Sequence, residues 1–249
     1  VALLPTGREN SFVLIHTVFD ILAWLTSLTT LLCLRRTWFA SALVTETLRA
    51  GYIAAVLLGA GLGAWIFGSA NLWLSGIHEP ARSIEGALAG AILAVEIYKR
   101  RAGVRLRTGA IYALPVALGI AVGRIGCLLS GMEDQTYGLP TGASWGWDFG
   151  DGINRHPVAL YESIAMLVFA AIYVHRVSNG STFWRVDGFY LCVAFYGIER
   201  FILEFYKPYA SLIAGLSLFQ CLSILLAAYG LAMLTERPWP RKSTAGNTG

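Results

Sequence analysis

The chain has 249 residues, 56% of them hydrophobic and 14% charged, with a net charge of +4. A soluble domain carries roughly 25% charged residues, so this composition and a mean hydropathy of +0.59 exclude an ordinary water-soluble fold. The 27 glycines are scattered through apolar runs, which suits close helix packing in lipid rather than disorder.

Seven apolar runs follow in chain order, at about 11–33, 52–74, 83–98, 108–130, 157–175, 184–205 and 213–234. A bilayer core takes ~20 such residues to cross. Backbone groups in lipid must be satisfied within the segment, so all seven read as helices. The expected fold is an all-α, polytopic membrane protein with about seven transmembrane helices. It forms one domain over 1–236 with a polar, Pro-broken tail over 237–249. The third run is short and carries Glu85 and Glu96, which makes it the weakest span. The opening VALLPTGREN lacks the features of a cleavable signal, so the first helix is expected to stay as an anchor.

Thirteen Lys and Arg lie in the segments after helices one, three, five and seven, against four in the N-terminus and the other loops. The positive-inside rule places the N-terminus outside and the C-terminus in the cytoplasm. The cytoplasmic loops, read as topology signals only, account for the net charge without a nucleic-acid partner. The longest outer loop, 131–156, holds Glu133, Asp134, Asp148 and Asp151 with Trp145 and Trp147, amphipathic residues of a membrane interface. It is the expected lid or substrate-contact segment. Cys33, Cys127, Cys192 and Cys221 all fall within helices, and four scattered His show no metal spacing. Neither a disulfide framework nor a metal site is expected.

Eight ionisable residues lie inside these runs: Asp20, Glu85, Glu96, Arg124, Glu162, Glu199, Arg200 and Glu204. Each costs at least ~2.5 kcal/mol on insertion scales, so the set is expected to converge on a polar interior. Arg124 and Cys127 share a helix face at i and i+3. Arg124 either snorkels to the outer interface or forms an anion site, since guanidinium matches phosphate bidentately. In YGIERFILEFYKP, Tyr196, Arg200 and Glu204 fall at i, i+4 and i+8 along one stripe. They form either a self-neutralised pair that lets the helix insert or a set that holds and turns over an anion. Glu199 points about 100° away and is assigned to packing. In INRHPVALYESI, Pro157 suits the first helical position, with His156 at the helix entrance and Tyr161 and Glu162 just inside.

GRIG at 123–126, YGLPT at 137–141, RHPVALYE at 155–162, GIERFILEF at 197–205 and LFQCLSI at 218–224 resemble, in order, the prolipoprotein diacylglyceryl transferase family. The resemblance implies transfer of a diacylglyceryl group from phosphatidylglycerol to the lipobox cysteine thiol of a prolipoprotein. A thioether forms and glycerol phosphate leaves. It also implies the bacterial cytoplasmic (inner) membrane and no cofactor. The family's phosphate-contacting arginine falls on Arg124, its helix-six Tyr, Arg and Glu on Tyr196, Arg200 and Glu204, and its loop glycine on Gly138. Catalytic roles are thus expected of Arg200, Glu204, Tyr196, Glu85 and His156, and substrate contacts of Arg124, Gly138, Tyr161, Glu162 and Cys127. The chain departs from the pattern at three places. Glu85-Gly86-Ala87 stands where the family has His-Gly-Gly, making Glu85 the replacement base; Cys127 stands for an Asn; Ser130-Gly131-Met132 stands for Asn-Gly-Glu, with Glu133 displaced by one. Two other readings remain: a phosphatidylglycerol-dependent transferase with another acceptor, and a non-catalytic phospholipid-binding or transport protein.

Overall fold

The computed structural model describes residues 7–39, 46–212 and 214–236, without the side chains of residues 7–13, 46, 47, 133 and 134. The tail over 237–249 and the acidic side chains of Glu133 and Asp134 therefore lie outside the described set. Seven α-helices occur among the described residues: α1 Gly7–Arg36, α2 Glu46–Leu74, α3 Ile84–Arg101, α4 Ala113–Leu129, α5 Val158–Ser178, α6 Thr182–Glu204 and α7 Leu218–Thr235. They coincide with the seven apolar runs. Five of them (α1, α2, α4, α5 and α7) are long and apolar enough to cross a membrane. The chain is an all-helical, multi-pass membrane protein.

Serines set several helix starts. Ser83 caps α3 by accepting the Gly86 N–H at 3.1 Å, and Ser217 forms a reciprocal capping box with Gln220 on α7. The expectation for Pro157 is off by one position: it caps α5, which begins at Val158. The loop over 131–156 adds an element that the all-helical reading lacks, a two-residue ribbon of β1 Trp147–Asp148 against β2 Asn154–Arg155. Alternation cannot announce strands this short.

The helices associate as seams. α2 packs on α3, α6 on α7, and α1 on α4, with α5 joining α4 to α6. The first two seams are glycine contacts. A Cβ on Gly63 would stand 2.9 Å from the Gly90 Cα, and one on Gly197 would stand 2.7 Å from the Ser223 carbonyl oxygen. Outward faces carry Trp24, Leu58, Trp65, Leu93 and Leu225, all more than half exposed, as expected of side chains that meet lipid. The buried face is the unusual one: Glu85, Glu162, Arg200 and Glu204 are all sealed within the bundle.

Candidate active site

Glu162 on α5 organises the buried charges. Arg124 on α4 donates from Nε to Glu162 Oε1 at 2.6 Å, and the Tyr196 hydroxyl reaches the same oxygen at 3.4 Å. Arg200 Nη1 on α6 stands 3.7 Å from Glu162 Oε2. One carboxylate thus bridges two guanidiniums contributed by different helices.

Arg200 meets two further carboxylates. Its Nε donates to Glu85 Oε2 at 3.2 Å, and its Nη2 lies 3.0 Å from Glu204 Oε2. The serines of α7 complete the set: Ser223 Oγ donates to Glu85 Oε1 at 2.6 Å, and Ser217 Oγ to Glu204 Oε1 at 3.0 Å. Each buried charge here has an opposite partner, which the low dielectric demands. The pairing is incomplete: Arg200 Nη1, Glu162 Oε2 and Gln220 Nε2 are buried without a hydrogen bond. An Arg200 donor and a Glu162 oxygen thus face each other 3.7 Å apart without bonding.

Helix register produces this grouping. Tyr196, Arg200 and Glu204 are one turn apart on α6 and all buried, and Gly197 lets α7 close in so that Ser223 reaches across. Cys127 lies at the edge, its Sγ 3.7 Å from Arg124 Nη1. Of the eight intramembrane charges expected to converge, five do: Glu85, Arg124, Glu162, Arg200 and Glu204. Asp20 pairs instead with His16 and Arg82. Glu96 joins Lys99 at 2.9 Å and the Tyr229 hydroxyl at 3.2 Å. Glu199, assigned to packing, has both carboxylate oxygens buried without a hydrogen-bond partner.

His156, Tyr161 and Gly138 form a second group on the 131–156 loop and the first turns of α5. The Tyr161 hydroxyl accepts from Trp145 Nε1 at 2.9 Å and lies 3.4 Å from His156 Nδ1, and the His156 ring packs 4.8 Å from that of Tyr206. Gly138 admits the loop here, since a Cβ would meet the His156 Cβ and Val158 Cγ2 at 2.9 Å. Leu139 then donates to the Tyr206 carbonyl at 2.7 Å and accepts from the His156 N–H, binding the loop to the end of α6.

Lys207 is a functional candidate that sequence reasoning passed over. It follows α6 in what reads as a loop, yet only 6% of it is exposed. Burial first, and then the nearby Arg200 and Arg124 guanidiniums, push its ammonium down to about 8. Its Nζ lies 5.7 Å from the Tyr209 ring centroid. Its only sequence signal was a lone cation three residues beyond Glu204, one helical turn further on.

A multi-pass helical fold that buries two arginines among three carboxylates defines a membrane protein with a polar, ion-paired interior. The model of one family, described as prolipoprotein diacylglyceryl transferase, matches residues 15–236, and the chain belongs to that family. It is similar to proteins named phosphatidylglycerol–prolipoprotein diacylglyceryl transferase. That of Geobacter sulfurreducens is 33% identical over 196 residues, 72% of each chain. That of Bordetella parapertussis is 31% identical over 203 residues, 75% of this chain and 76% of its own. That of Idiomarina loihiensis is 32% identical over 202 residues, 75% and 73% respectively. No solved structure matches.

Proposed function

We propose that this chain transfers the diacylglyceryl group of phosphatidylglycerol to the lipobox cysteine thiol of prolipoproteins. The supporting observation, beside family membership, is the pair of guanidiniums held on the single buried carboxylate of Glu162. The thiolate attacks the glyceryl carbon that bears the phosphate ester; a C–S bond forms, the C–O bond breaks, and its electron pair leaves with glycerol phosphate. Negative charge develops on the departing phosphate, where Arg124 and Arg200 stabilise it in a dry site. Tyr196 and Glu162 align Arg124, and Glu204 aligns Arg200. Glu85 has both oxygens engaged, which fits an orienting counter-ion for Arg200 better than a base. Gly138, Tyr161 and His156 shape the outer mouth through which the acceptor peptide arrives, and Cys127 borders the phosphate.

In this reading all seven helices span the cytoplasmic membrane, with the N-terminus and the outer loop outside. α3 and α6 cross because their charges are buried against neighbours. The test is to mix purified protein with phosphatidylglycerol and a lipobox peptide and record the peptide mass. A diacylglyceryl increment is expected, and Arg124→Ala should remove at least about 10²-fold of the rate, the usual cost of losing one such donor. Glycerol phosphate release without peptide modification would assign another acceptor, and neither product would leave a lipid-binding protein.

A further inference from the structure

Trp145 and Trp147 take no part in the buried cluster. Trp145 is 65% exposed and Trp147 44%, and Leu139 on the same loop is 39% exposed. Large apolar side chains gathered on one segment mark a contact surface, and the neighbours of these three show what it contacts.

Two helices fasten the loop. Trp145 Nε1 donates to the Tyr161 hydroxyl at 2.9 Å. Tyr161 lies one turn before Ile164, and Val168 and Ile172 continue that face of α5; all three aliphatic residues are exposed. Leu139 donates its N–H to the Tyr206 carbonyl at 2.7 Å. Tyr206 follows Ile198, Ile202 and Phe205, the exposed apolar stripe of α6. In a multi-pass bundle such stripes meet acyl chains. Trp145 and Leu139 therefore extend two lipid-facing surfaces past the ends of their helices.

The ribbon between them has unlike ends. At its base Trp147 pairs with Arg155, and Arg155 also bridges to Pro140, next to Leu139. At its tip Asp148 accepts from the Gly150 and Gly152 N–H groups at 2.8 and 3.0 Å. Asp151 accepts from the Ile153 N–H at 3.1 Å and from Arg155 Nη2 at 2.7 Å. Both acids are exposed. Carboxylates keep their hydration in water and lose it in a bilayer, whereas indole rings favour the boundary between the two.

We propose that the base of this ribbon, with Trp145, Trp147 and Leu139, is seated in the headgroup layer of the membrane while its acidic tip stands in water. The partner is the phospholipid bilayer itself, and the inference rests on the multi-pass fold alone, not on the transferase reading. Trp145 suits that layer because its N–H is already bonded to Tyr161, which leaves the ring as the free surface. Loop 131–156 is then a collar fixed at the membrane surface, at the end of the bundle where Glu162 and Glu204 lie. It is not a lid that swings in water.

The experiment places the full chain, its four cysteines changed to serine, in nanodiscs of phosphatidylglycerol and phosphatidylcholine. Trp145→Cys, Trp147→Cys and Asp151→Cys each carry an environment-sensitive fluorophore. At 145 and 147 the emission is expected to be blue-shifted and strongly quenched by lipids spin-labelled near the headgroup. Aqueous iodide should quench it several-fold less than at 151. Equal iodide quenching at all three positions overturns the proposal. So does shielding that arises only when a lipobox peptide is added, which would make the surface a peptide lid. Should the labelled variants not fold, Trp145→Phe and Trp147→Phe decide by intrinsic fluorescence. The emission lost in each is expected to come from the fraction that brominated phosphatidylcholine quenches, and loss from the iodide-quenched fraction overturns the proposal.

Discussion

Glu162 carries more of the interior than its place one residue after Tyr161 suggests. It is fully buried and, among the described residues, is the carboxylate that Arg124 and Arg200 share. Removing it takes from Arg124 the carboxylate that it bonds, while Arg200 keeps Glu85 and Glu204. Breaking a buried pair by deleting one partner costs about 3–5 kcal/mol, so Glu162→Ala should lower the thermal unfolding midpoint in detergent as well as abolish transfer. An unfolding curve matching the wild type would show that the arginines find other partners. Lys207 makes a pH-dependent prediction. With its pKa near 8 against roughly 10.4 for a free lysine, it is a cation at pH 7 and neutral above about pH 8. Attraction for an anionic phosphate should therefore weaken as pH rises through 8, and Lys207→Met should flatten that dependence in a lipid-binding titration. Stability runs the other way. Between pH 8 and about 10.4 the unfolded chain holds the proton that the folded one has lost, so folding gains as pH rises across that window.

At the scale of helices, glycine placement decides whether the polar residues meet. Gly197 sits beside Tyr196 and faces the Ser223 carbonyl; the same close approach lets Ser223 Oγ reach Glu85 on α3. Gly61 on α2, by contrast, has nothing within 4 Å of where a Cβ would stand. The two should respond to alanine in opposite ways. Gly61→Ala should stabilise by up to about 1 kcal/mol through helix propensity alone. Gly197→Ala should destabilise and reduce transfer, because backbone 2.7 Å away must give. Equal effects at both positions would mean that the α6–α7 seam does not hold the site together. The helices themselves were legible from apolar run length, and the Tyr196–Arg200–Glu204 stripe from a four-residue spacing. What the spacing could not carry was partner choice. Arg200 takes Glu85 from α3, 115 positions away in the chain, and no local pattern encodes such a contact. Nor could it tell which intramembrane acids join the site. Glu96 and Asp20 read just as Glu162 does, yet the bundle sends them to other neighbours.

Across the whole molecule the polar groups divide between two ends. The arginine–carboxylate cluster lies toward the loop that carries Trp145 and Trp147. At the opposite end Arg107 pairs its Nη1 with Asp187 and donates from Nη2 to the Met233 and Glu236 carbonyls at 2.7 Å each. The basic segments read as topology signals thus have a second role: Arg107 ties the α3–α4 connection to the start of α6 and the end of α7. On the transferase proposal, a clasp at one end suits a bundle that admits lipid and peptide at the other. The orientation of these two ends is open to direct measurement. In a variant with its four native cysteines changed to serine, a cysteine at Ser144 should react with a membrane-impermeant maleimide on intact spheroplasts. One at Asn179, beyond α5, should react only after the membrane is broken. The reverse pattern would put the arginine pair near the cytoplasmic face, out of reach of exported prolipoproteins, and would leave the basic Arg107 end facing outward against the positive-inside bias.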